Sequence, residues 1–167
     1  MNAFCFLDSP IGPLMISTEG TALTGLYMGK PSKRPNIDAW CEDPEEPVLR
    51  ETAQQLREYF TGKRRKFELP LKFNGTEFQH RVWNALTEIP FGETRTYSQL
   101  ARQIGNPAAC RAVGLANGKN PIAVIVPCHR VIGADGSLTG FGGGLPRKEW
   151  LLGHEGFPEM RTLELAI

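Results

Sequence analysis

The sequence predicts an α/β protein of the α+β type, in which a small antiparallel sheet with one helix precedes a mostly helical region. Short apolar or alternating runs separated by turn residues occupy the first 28 positions, whereas helical apolar periodicity dominates after residue 75. A chain of 167 residues with 41% hydrophobic content can bury one core or two small ones. We place the boundary in the linker-like segment 70–75, which predicts an amino-terminal domain at 1–74 and a carboxy-terminal domain at 75–167.

The amino-terminal part is predicted to contain a meander and a helix. Three short runs separated by turn residues predict antiparallel strands at 3–8, 13–18 and 21–28. A segment rich in proline and charge follows at 30–47, where we expect a poorly ordered connection. Apolar residues then recur at helical spacing over 45–60, and Gly62 ends that helix. After a basic turn at 63–66, a short strand is predicted at 67–69.

Two helix starts in the second half carry the same signal. Two pairs of residues have capping-box spacing: Thr76 with Gln79, and Thr96 with Gln99. An apolar stripe follows the first pair as far as Pro90, and a shorter stripe follows the second pair as far as Gly105. The sequence therefore predicts one longer and one short helix here.

A third helix is predicted from Asn106-Pro107 to Asn117-Gly118, because an N-cap residue followed by proline at the first position is a typical helix start. Two short helices joined by a tight turn form a helix-turn-helix signature. The small residues of the second helix would allow close approach to DNA: Ala108, Ala109, Ala112, Gly114 and Ala116. Arg111 is the one long polar side chain in the first half of this helix, and reading a base sequence directly needs several such side chains. We therefore expect shape-directed, sequence-tolerant binding, with Arg111 as a wedge. Ordinary core packing is the alternative for this helix pair alone.

We place the chemistry in the segment 122–132, an apolar run interrupted by Pro127, Cys128, His129 and Arg130. Its β-branched residues predict a buried extended segment that changes direction at Pro127 and holds the thiol by packing. A thiol with a pKa of roughly 8.5 reacts as the thiolate, and a neighbouring imidazole is the usual means of removing its proton. An inert buried cysteine is the alternative. Arg130 favours a reactive site, because a cation here needs a partner or a route to solvent.

Three further elements are predicted after this segment. A hairpin turn is expected at 133–137, a glycine-rich loop at 140–144 and a final helix at 145–154. Glycines would let the loop backbone approach a ligand closely. Glu155, at the close of the helix, is a plausible carboxylate partner for His129.

Charge is unevenly distributed along a chain whose net charge is +1. Between Thr94 and Ala134 there is no acidic residue, and five basic residues fall in that window: Arg95, Arg102, Arg111, Lys119 and Arg130. A locally basic face on a nearly neutral protein favours a polyanionic partner at that face. On charge alone, a solvated basic face is an equal alternative.

The cysteines and histidines do not have metal-site spacing. The four cysteines lack the short pairs of zinc fingers and disulfide frameworks, and the three histidines are scattered, so we expect no metal and no cofactor. The sequence also shows no signal-peptide pattern and no apolar run near the ~18 residues of a membrane span. We therefore expect a soluble cytoplasmic protein, in a reducing compartment where a free thiol persists.

Several motifs occur in an order that is typical of one family. The run Pro127-Cys128-His129-Arg130-Val131-Ile132-Gly133 is preceded by Arg111-Ala112-Val113-Gly114 and Asn120-Pro121, and followed by Gly142-Gly143 and Lys148-Glu149-Trp150-Leu151-Leu152. Over about 75–156 the chain resembles the methylated-DNA–protein-cysteine alkyltransferases, and 9–14 resembles their opening more weakly. The resemblance implies an RNase H-like amino-terminal domain followed by a winged helix-turn-helix domain that binds DNA and accepts the alkyl group.

The resemblance also implies an activity. It is direct DNA repair, in which the alkyl group of 6-O-alkylguanine, or less readily 4-O-alkylthymine, moves irreversibly to a cysteine. Each molecule would react once, without a cofactor, after the damaged nucleotide has been flipped out of a duplex bound through its minor groove. We expect a monomer with little sequence preference, and leave cooperative binding along DNA open.

In such a protein Cys128 would be the acceptor, His129 its base through a bridging water, and Glu155 the residue that orients His129. Asn120 would brace the turn beside the cysteine. Tyr97 would contact the extruded base and donate toward its ring nitrogen, so that neutral guanine leaves.

The resemblance further implies two contact sets. The DNA contacts would be Arg111, which fills the gap in the base stack, together with Tyr97, Ala112, Gly114 and Arg130. The guanine pocket would be lined by Val131, Gly142 and Phe141. Phe141 stands where many members have tyrosine, which removes a hydroxyl beside the lesion oxygen.

Two other functions remain alternatives. A non-catalytic lesion-binding protein of the same fold would flip the base and signal, but relatives of that type replace the reactive cysteine that this chain retains. A thiol hydrolase with a Cys-His-Glu triad would turn over small molecules and ignore DNA. The helix of Arg111 and the basic window oppose that second alternative.

Overall fold

Residues 2–29, 34–138 and 141–157 of the chain are described by a computed structural model. Contacts between residues divide the chain into two units, Met1–Asn74 and Gly75–Ile167. Across the described ranges, no helix has both the length and the apolar content needed to cross a membrane. The mixed class that the sequence predicts, a sheet followed by a mostly helical region, is confirmed.

The first unit contains the predicted antiparallel meander. Its strands are β1 (Asn2–Leu7), β2 (Leu14–Glu19) and β3 (Ala22–Met28), with β2 between the other two. The expectation of a poorly ordered connection at 30–47 is wrong in part, because the two-residue strand β4 (Cys41–Glu42) pairs parallel with β1. Residues 30–33 of that segment lie outside the described ranges.

Helix α1 (Pro47–Phe60) packs its apolar face on this sheet. It begins two residues later than predicted, because the Glu46 side chain accepts a hydrogen bond from the Leu49 amide at 2.9 Å and Pro47 takes the first helical position. The predicted strand at 67–69 does not form. Instead, the buried amide side chain of Gln55 bonds both the N–H and the C=O of Glu68, and so occupies groups that a strand partner would use.

Within residues 75–138 and 141–157, the second unit has four α-helices and one small parallel strand pair. The helices are α2 (Glu77–Thr87), α3 (Tyr97–Gln103), α4 (Cys110–Gly118) and α5 (Leu145–His154); the strands are β5 (Arg95–Thr96) and β6 (Val131–Ile132). Both predicted capping boxes are confirmed, at the starts of α2 and α3. Helix α3 packs against α4, as a helix-turn-helix pair requires.

Helix α4 begins later than the sequence predicts. Asn106 accepts a hydrogen bond from the Ala109 amide at 3.0 Å, so 106–109 form a turn, and α4 begins at Cys110 without a side-chain cap. The connection from α3 is therefore longer than the tight turn we expected. Asn106 is a plausible N-cap by residue type. In the structure, however, its carbonyl already accepts the Ala109 amide in the turn, and the helix begins only after that turn.

The segment 122–132 is buried as predicted but is not extended. The amide of Val126 donates to the Ile122 carbonyl at 2.9 Å, which folds the chain into a turn. Val124 in this turn has a φ of 71°, a left-handed conformation that is rare for a β-branched residue. A 3₁₀ turn follows at Cys128–Arg130, and only then does the chain enter β6.

The elements after this segment follow the sequence prediction. The amide of Gly133 donates to the Ser137 carbonyl at 2.9 Å, which closes the predicted hairpin turn. Helix α5 has the predicted bounds. Of the glycine-rich loop, Gly140 lies outside the described ranges.

We predict that Thr76→Ala lowers the free energy of unfolding by about 1 kcal/mol, because the Gln79 amide loses its capping acceptor. Urea unfolding followed by circular dichroism would measure the loss. Asn84→Ala, at an exposed position of the same helix, is the control and should not be destabilised. Equal unfolding midpoints for Thr76→Ala and the unmodified protein would contradict the prediction.

Candidate active site

Cys128 lies at the start of the 3₁₀ turn with only 4% of its surface exposed. Asn120 spans the preceding turn: its Nδ2 donates to the Val126 carbonyl at 2.8 Å, and its Oδ1 accepts from the Ile122 amide at 3.0 Å. Asn117, in the last turn of α4, donates from Nδ2 to the Cys128 carbonyl at 3.4 Å. The cysteine backbone is therefore held from α4 and from the turn that follows that helix.

A buried carboxylate organises the residues after the cysteine. Glu155 Oε2 lies 2.8 Å from Nε2 of His129, and Arg130 donates to both Glu155 oxygens, from Nε at 2.7 Å and from Nη2 at 3.1 Å. Arg130 Nη1 also donates to the Ile89 carbonyl at 2.6 Å. The partner that Arg130 needs inside the protein is thus Glu155.

This arrangement selects one tautomer of His129. Because an ionised carboxylate only accepts hydrogen bonds, Nε2 must carry the imidazole proton. Nδ1 is then an acceptor, and it is buried without a hydrogen-bond partner among the described residues. Burial lowers the pKa of His129 and outweighs the opposing effect of Glu155. The imidazole is therefore neutral. A neutral imidazole with an available Nδ1 can accept a proton.

The pKa values of the other groups follow from burial and neighbours. Burial raises the pKa of the Cys128 thiol, against the lowering effects of the Asn120 side chain and the charge of Lys148. Burial alone would also raise the pKa of Glu155, but His129 and Arg130 together lower it to about 2. The resting site therefore combines a protonated thiol, a neutral imidazole and an ionised carboxylate.

Lys148 is a site residue to which the sequence analysis gave no role. Its side chain is fully buried, and Nζ donates to the Val131 carbonyl at 2.5 Å. Burial lowers its pKa to about 8. A signal for it was present, because Lys148 falls at helical spacing before Leu151 and Leu152, on the buried face of α5.

Three of the expected DNA-contact residues lie on one face of α4, and a fourth, Tyr97 at the start of α3, lies beside that helix; one residue is an exception. Arg111 and Ala112 are exposed, and a Cβ placed on Gly114 would lie 3.7 Å from the Tyr97 ring, so Tyr97 lies directly beside this helix. Leu115, which the sequence analysis did not single out, is 66% exposed one turn after Arg111. Arginine and leucine therefore share a solvent-facing stripe.

Arg130 is the exception. Only 6% of its surface is exposed, and its guanidinium is bonded to Glu155 and to the Ile89 carbonyl. A DNA contact by Arg130, which the family resemblance implies, would require the guanidinium to leave this position and strip the buried Glu155 of its cation.

Of the three expected pocket residues, Val131 directly follows the 3₁₀ turn, whereas Phe141 and Gly142 lie in the glycine-rich loop. Val131 is buried in β6, with its carbonyl bonded to Lys148, whereas Phe141 is half-buried and Gly142 is exposed. A Cβ on Gly142 would come within 3.3 Å of the Gly118 carbonyl, so the loop backbone approaches the end of α4 closely. All four cysteines are free thiols. In the described ranges, no three His, Cys, Asp or Glu side chains cluster as a metal site would require.

Two family models match the chain. Residues 77–157 match the DNA binding domain of 6-O-methylguanine DNA methyltransferase, and residues 4–73 match the ribonuclease-like domain of the same enzyme. The chain belongs to the methylated-DNA–protein-cysteine methyltransferase family. The family resemblance inferred from the motifs around Cys128 is therefore confirmed.

Individual members of the family are similar over nearly their whole length. The methylated-DNA–protein-cysteine methyltransferase of Methanosarcina acetivorans is 51% identical over 154 residues, which cover 92% of this chain and 97% of the relative. The Mycobacterium tuberculosis protein of the same name is 53% identical over 146 residues, 87% of each chain.

Crystal structures of a family member have the same fold. The M. tuberculosis O6-methylguanine methyltransferase superposes with a TM-score of 0.87 at 49% identity, over 100% of both chains. A structure of M. tuberculosis OGT in complex with DNA gives a TM-score of 0.86 at 52% identity, over 92% of both chains. The ribonuclease-like and DNA-binding architecture expected from the sequence is confirmed.

We predict that Glu155→Gln destabilises the protein by about 3 kcal/mol at neutral pH, because it leaves Arg130 buried without a counter-charge. The folded-state pKa of Glu155 is below its ordinary value of 4.5, so its contribution is present above pH 4.5 and is lost as the pH falls through about 2. The difference between variant and unmodified protein should therefore shrink over that window. Urea unfolding at a series of pH values would measure it. A difference that does not change with pH would contradict the prediction.

Proposed function

We propose that the protein repairs DNA directly, by transferring the alkyl group of 6-O-alkylguanine, and less readily that of 4-O-alkylthymine, to Cys128. The observation that carries the proposal is the buried Cys128 beside the His129–Glu155 pair, in a chain that belongs to the methylated-DNA–protein-cysteine methyltransferases. A thiol with a neutral base and an oriented carboxylate is the arrangement that nucleophilic catalysis requires.

The proposed reaction begins with the thiol proton, which passes to Nδ1 of His129 through a water molecule. The imidazolium that forms is stabilised by Glu155, whose carboxylate is 2.8 Å away. The thiolate attacks the alkyl carbon, the S–C bond forms and the C–O bond to guanine breaks. Tyr97 gives its proton to the ring nitrogen of the departing base, and the proton held by the His129 imidazolium returns through solvent to the Tyr97 phenolate, so that overall the thiol proton ends on neutral guanine. The thioether has no leaving group that water could displace, so each molecule reacts once.

Access to the alkyl carbon requires base flipping, because Cys128 is buried and the target atom lies inside the duplex. Unstacking a nucleotide costs a few kcal/mol, and the exposed Arg111 on α4 would offset part of that cost by filling the gap. The small side chain of Ala112 and the glycine at 114 let this face lie close to the minor groove. A helix of this kind reads shape rather than sequence.

The proposed chemistry also fits one compartment. The acceptor must persist as a free thiol, and all four cysteines are free. We therefore place the protein in the cytoplasm, where thiols are kept reduced.

We predict that the protein, mixed with excess duplex oligonucleotide containing one 6-O-methylguanine, gains a single methyl group on Cys128. Intact-protein and peptide mass spectrometry would follow the mass and locate the group. The addition should stop at one per molecule, because the thioether is stable. Continued turnover of a small-molecule substrate without a mass change would instead favour the hydrolase.

Cys128→Ala is the matched control for that experiment. It should retain binding to the duplex and gain no methyl group. Methylation of Cys128→Ala would mean that Cys5, Cys41 or Cys110 is the acceptor. Tight, lesion-selective binding by the unmodified protein without any methyl addition would favour the non-catalytic lesion binder.

We predict that Arg111→Ala slows methyl transfer from duplex DNA by about tenfold or more, because the flipped state loses the group that fills the gap. Transfer from the free alkylated base should be unchanged, since that base needs no flipping. Single-turnover kinetics with both substrates would measure the two rates. Lys66→Ala removes an exposed cation of the first unit and is the control for net charge. An equal loss on both substrates would contradict the wedge role.

A further inference from the structure

Lys148 is buried where a charge is costly. Its side chain has no exposed surface, and its ammonium group donates to the carbonyl of Val131, three residues after Cys128. Removing a lysine ammonium from water costs several kcal/mol unless nearby groups compensate. A methionine would fill similar space without that cost, so the charge itself calls for a physical explanation.

The charged groups around the acceptor come from two elements. His129 and Arg130 follow Cys128 in the 3₁₀ turn, and both bond Glu155 at the end of α5. Lys148 enters from the first half of α5, and its charge interacts with Cys128. Its hydrogen bond to the Val131 carbonyl holds the ammonium group beside the strand that directly follows the cysteine turn, and from there its charge favours the thiolate of Cys128.

We propose that Lys148 is a positioning residue that stabilises the thiolate of Cys128 by its charge, while its hydrogen bond to Val131 holds that charge in place. For DNA the inference rests on the proposed function, but the acidity of the thiol can be measured without it. His129 accepts the thiol proton, and Lys148 remains protonated throughout. No bond to Lys148 forms or breaks in the reaction.

The two buried groups affect each other reciprocally. Burial raises the pKa of Cys128 and lowers that of Lys148 to about 8, whereas the charge interaction opposes both shifts. At neutral pH the ammonium is still mostly protonated, so it is available to stabilise the thiolate. Two groups coupled in this way titrate as a pair, so loss of either charge alters the titration of the other.

The test compares three variants at one position: Lys148→Met, Lys148→Gln and Lys148→Arg. The readout is the rate at which iodoacetamide alkylates Cys128 from about pH 6 to about pH 10. This range includes the pKa of roughly 8.5 of a free thiol. Peptide mass spectrometry would quantify alkylation at Cys128 alone. Lys119→Met removes an exposed lysine and is the matched control.

The two neutral variants should lower the rate at pH 7 about tenfold, which corresponds to about one pKa unit, and the difference should shrink above the pKa of about 8 at which Lys148 loses its charge. Lys148→Arg, which keeps the charge, should lie nearer the unmodified protein, and Lys119→Met should be unchanged. Lys148→Met and Lys148→Gln differ in polarity but both remove the charge. If one variant does not fold, the pH profile of the other still tests the proposal. Profiles that are unshifted in the folded neutral variants would overturn the proposal.

A purely structural role for Lys148 predicts a different result. In that case, loss of the lysine would lower the melting temperature of the neutral variants without moving the pH profile of alkylation. That outcome also overturns the proposal. Loss of buried charge with the volume kept often leaves stability unchanged or raises it. The proposal therefore expects slower alkylation without a matching loss of stability.

Methyl transfer from an oligonucleotide containing 6-O-methylguanine separates this inference from the proposed function. The variants should follow the same order in that assay as with iodoacetamide. If the unmodified protein transfers no methyl group while the iodoacetamide profiles still depend on charge, the proposed function fails and the role of Lys148 stands. If transfer occurs but the profiles are unshifted, only the role of Lys148 fails.

Discussion

The carboxylate of Glu155 is the interaction on which the site depends. It orients His129 and neutralises Arg130 from the residue that ends α5, while Arg130 reaches the Ile89 carbonyl just beyond α2. The buried Glu155 carboxylate, with Arg130, therefore connects α5, the 3₁₀ turn at Cys128–Arg130 and the chain just beyond α2. Burying such a charge is favourable only when its oxygens are fully engaged, and here both oxygens accept hydrogen bonds. The geometry of the base is thus tied to the integrity of the whole second unit.

DNA binding and chemistry are linked through a short stretch of chain. Arg111 projects from the first turn of α4, and Asn117 in its last turn holds the Cys128 carbonyl. Asn120 follows directly and spans the turn before the cysteine. One helix carries both the exposed arginine and a tether of Cys128, so in the proposed function docking of that helix on a duplex would set the place where an extruded base meets the sulfur.

Local signals predicted much of this architecture, and Glu155 was anticipated as the partner of His129, whereas other long-range pairings were not visible in the sequence. Thr76 and Thr96 marked two helix starts because a capping box uses only residues close in sequence. Burial of 122–132 was predictable from its composition, but an apolar run does not reveal whether it is extended or folded into turns. The ion pair between Arg130 and Glu155 was not anticipated, because the two residues are distant in sequence. Lys148 was overlooked for the same reason, since only the fold brings α5 to Val131.

Val124 introduces backbone strain into the turn at 122–126 that precedes Cys128. A valine with a φ of 71° sacrifices about 1–3 kcal/mol of backbone energy, and close packing of the buried segment holds it there. Glycine or asparagine would accept that conformation more readily. At this buried position, however, glycine would leave a cavity and asparagine would bury an amide group, and either effect offsets the relief of backbone strain. The valine therefore keeps the segment before Cys128 packed at a cost in backbone energy.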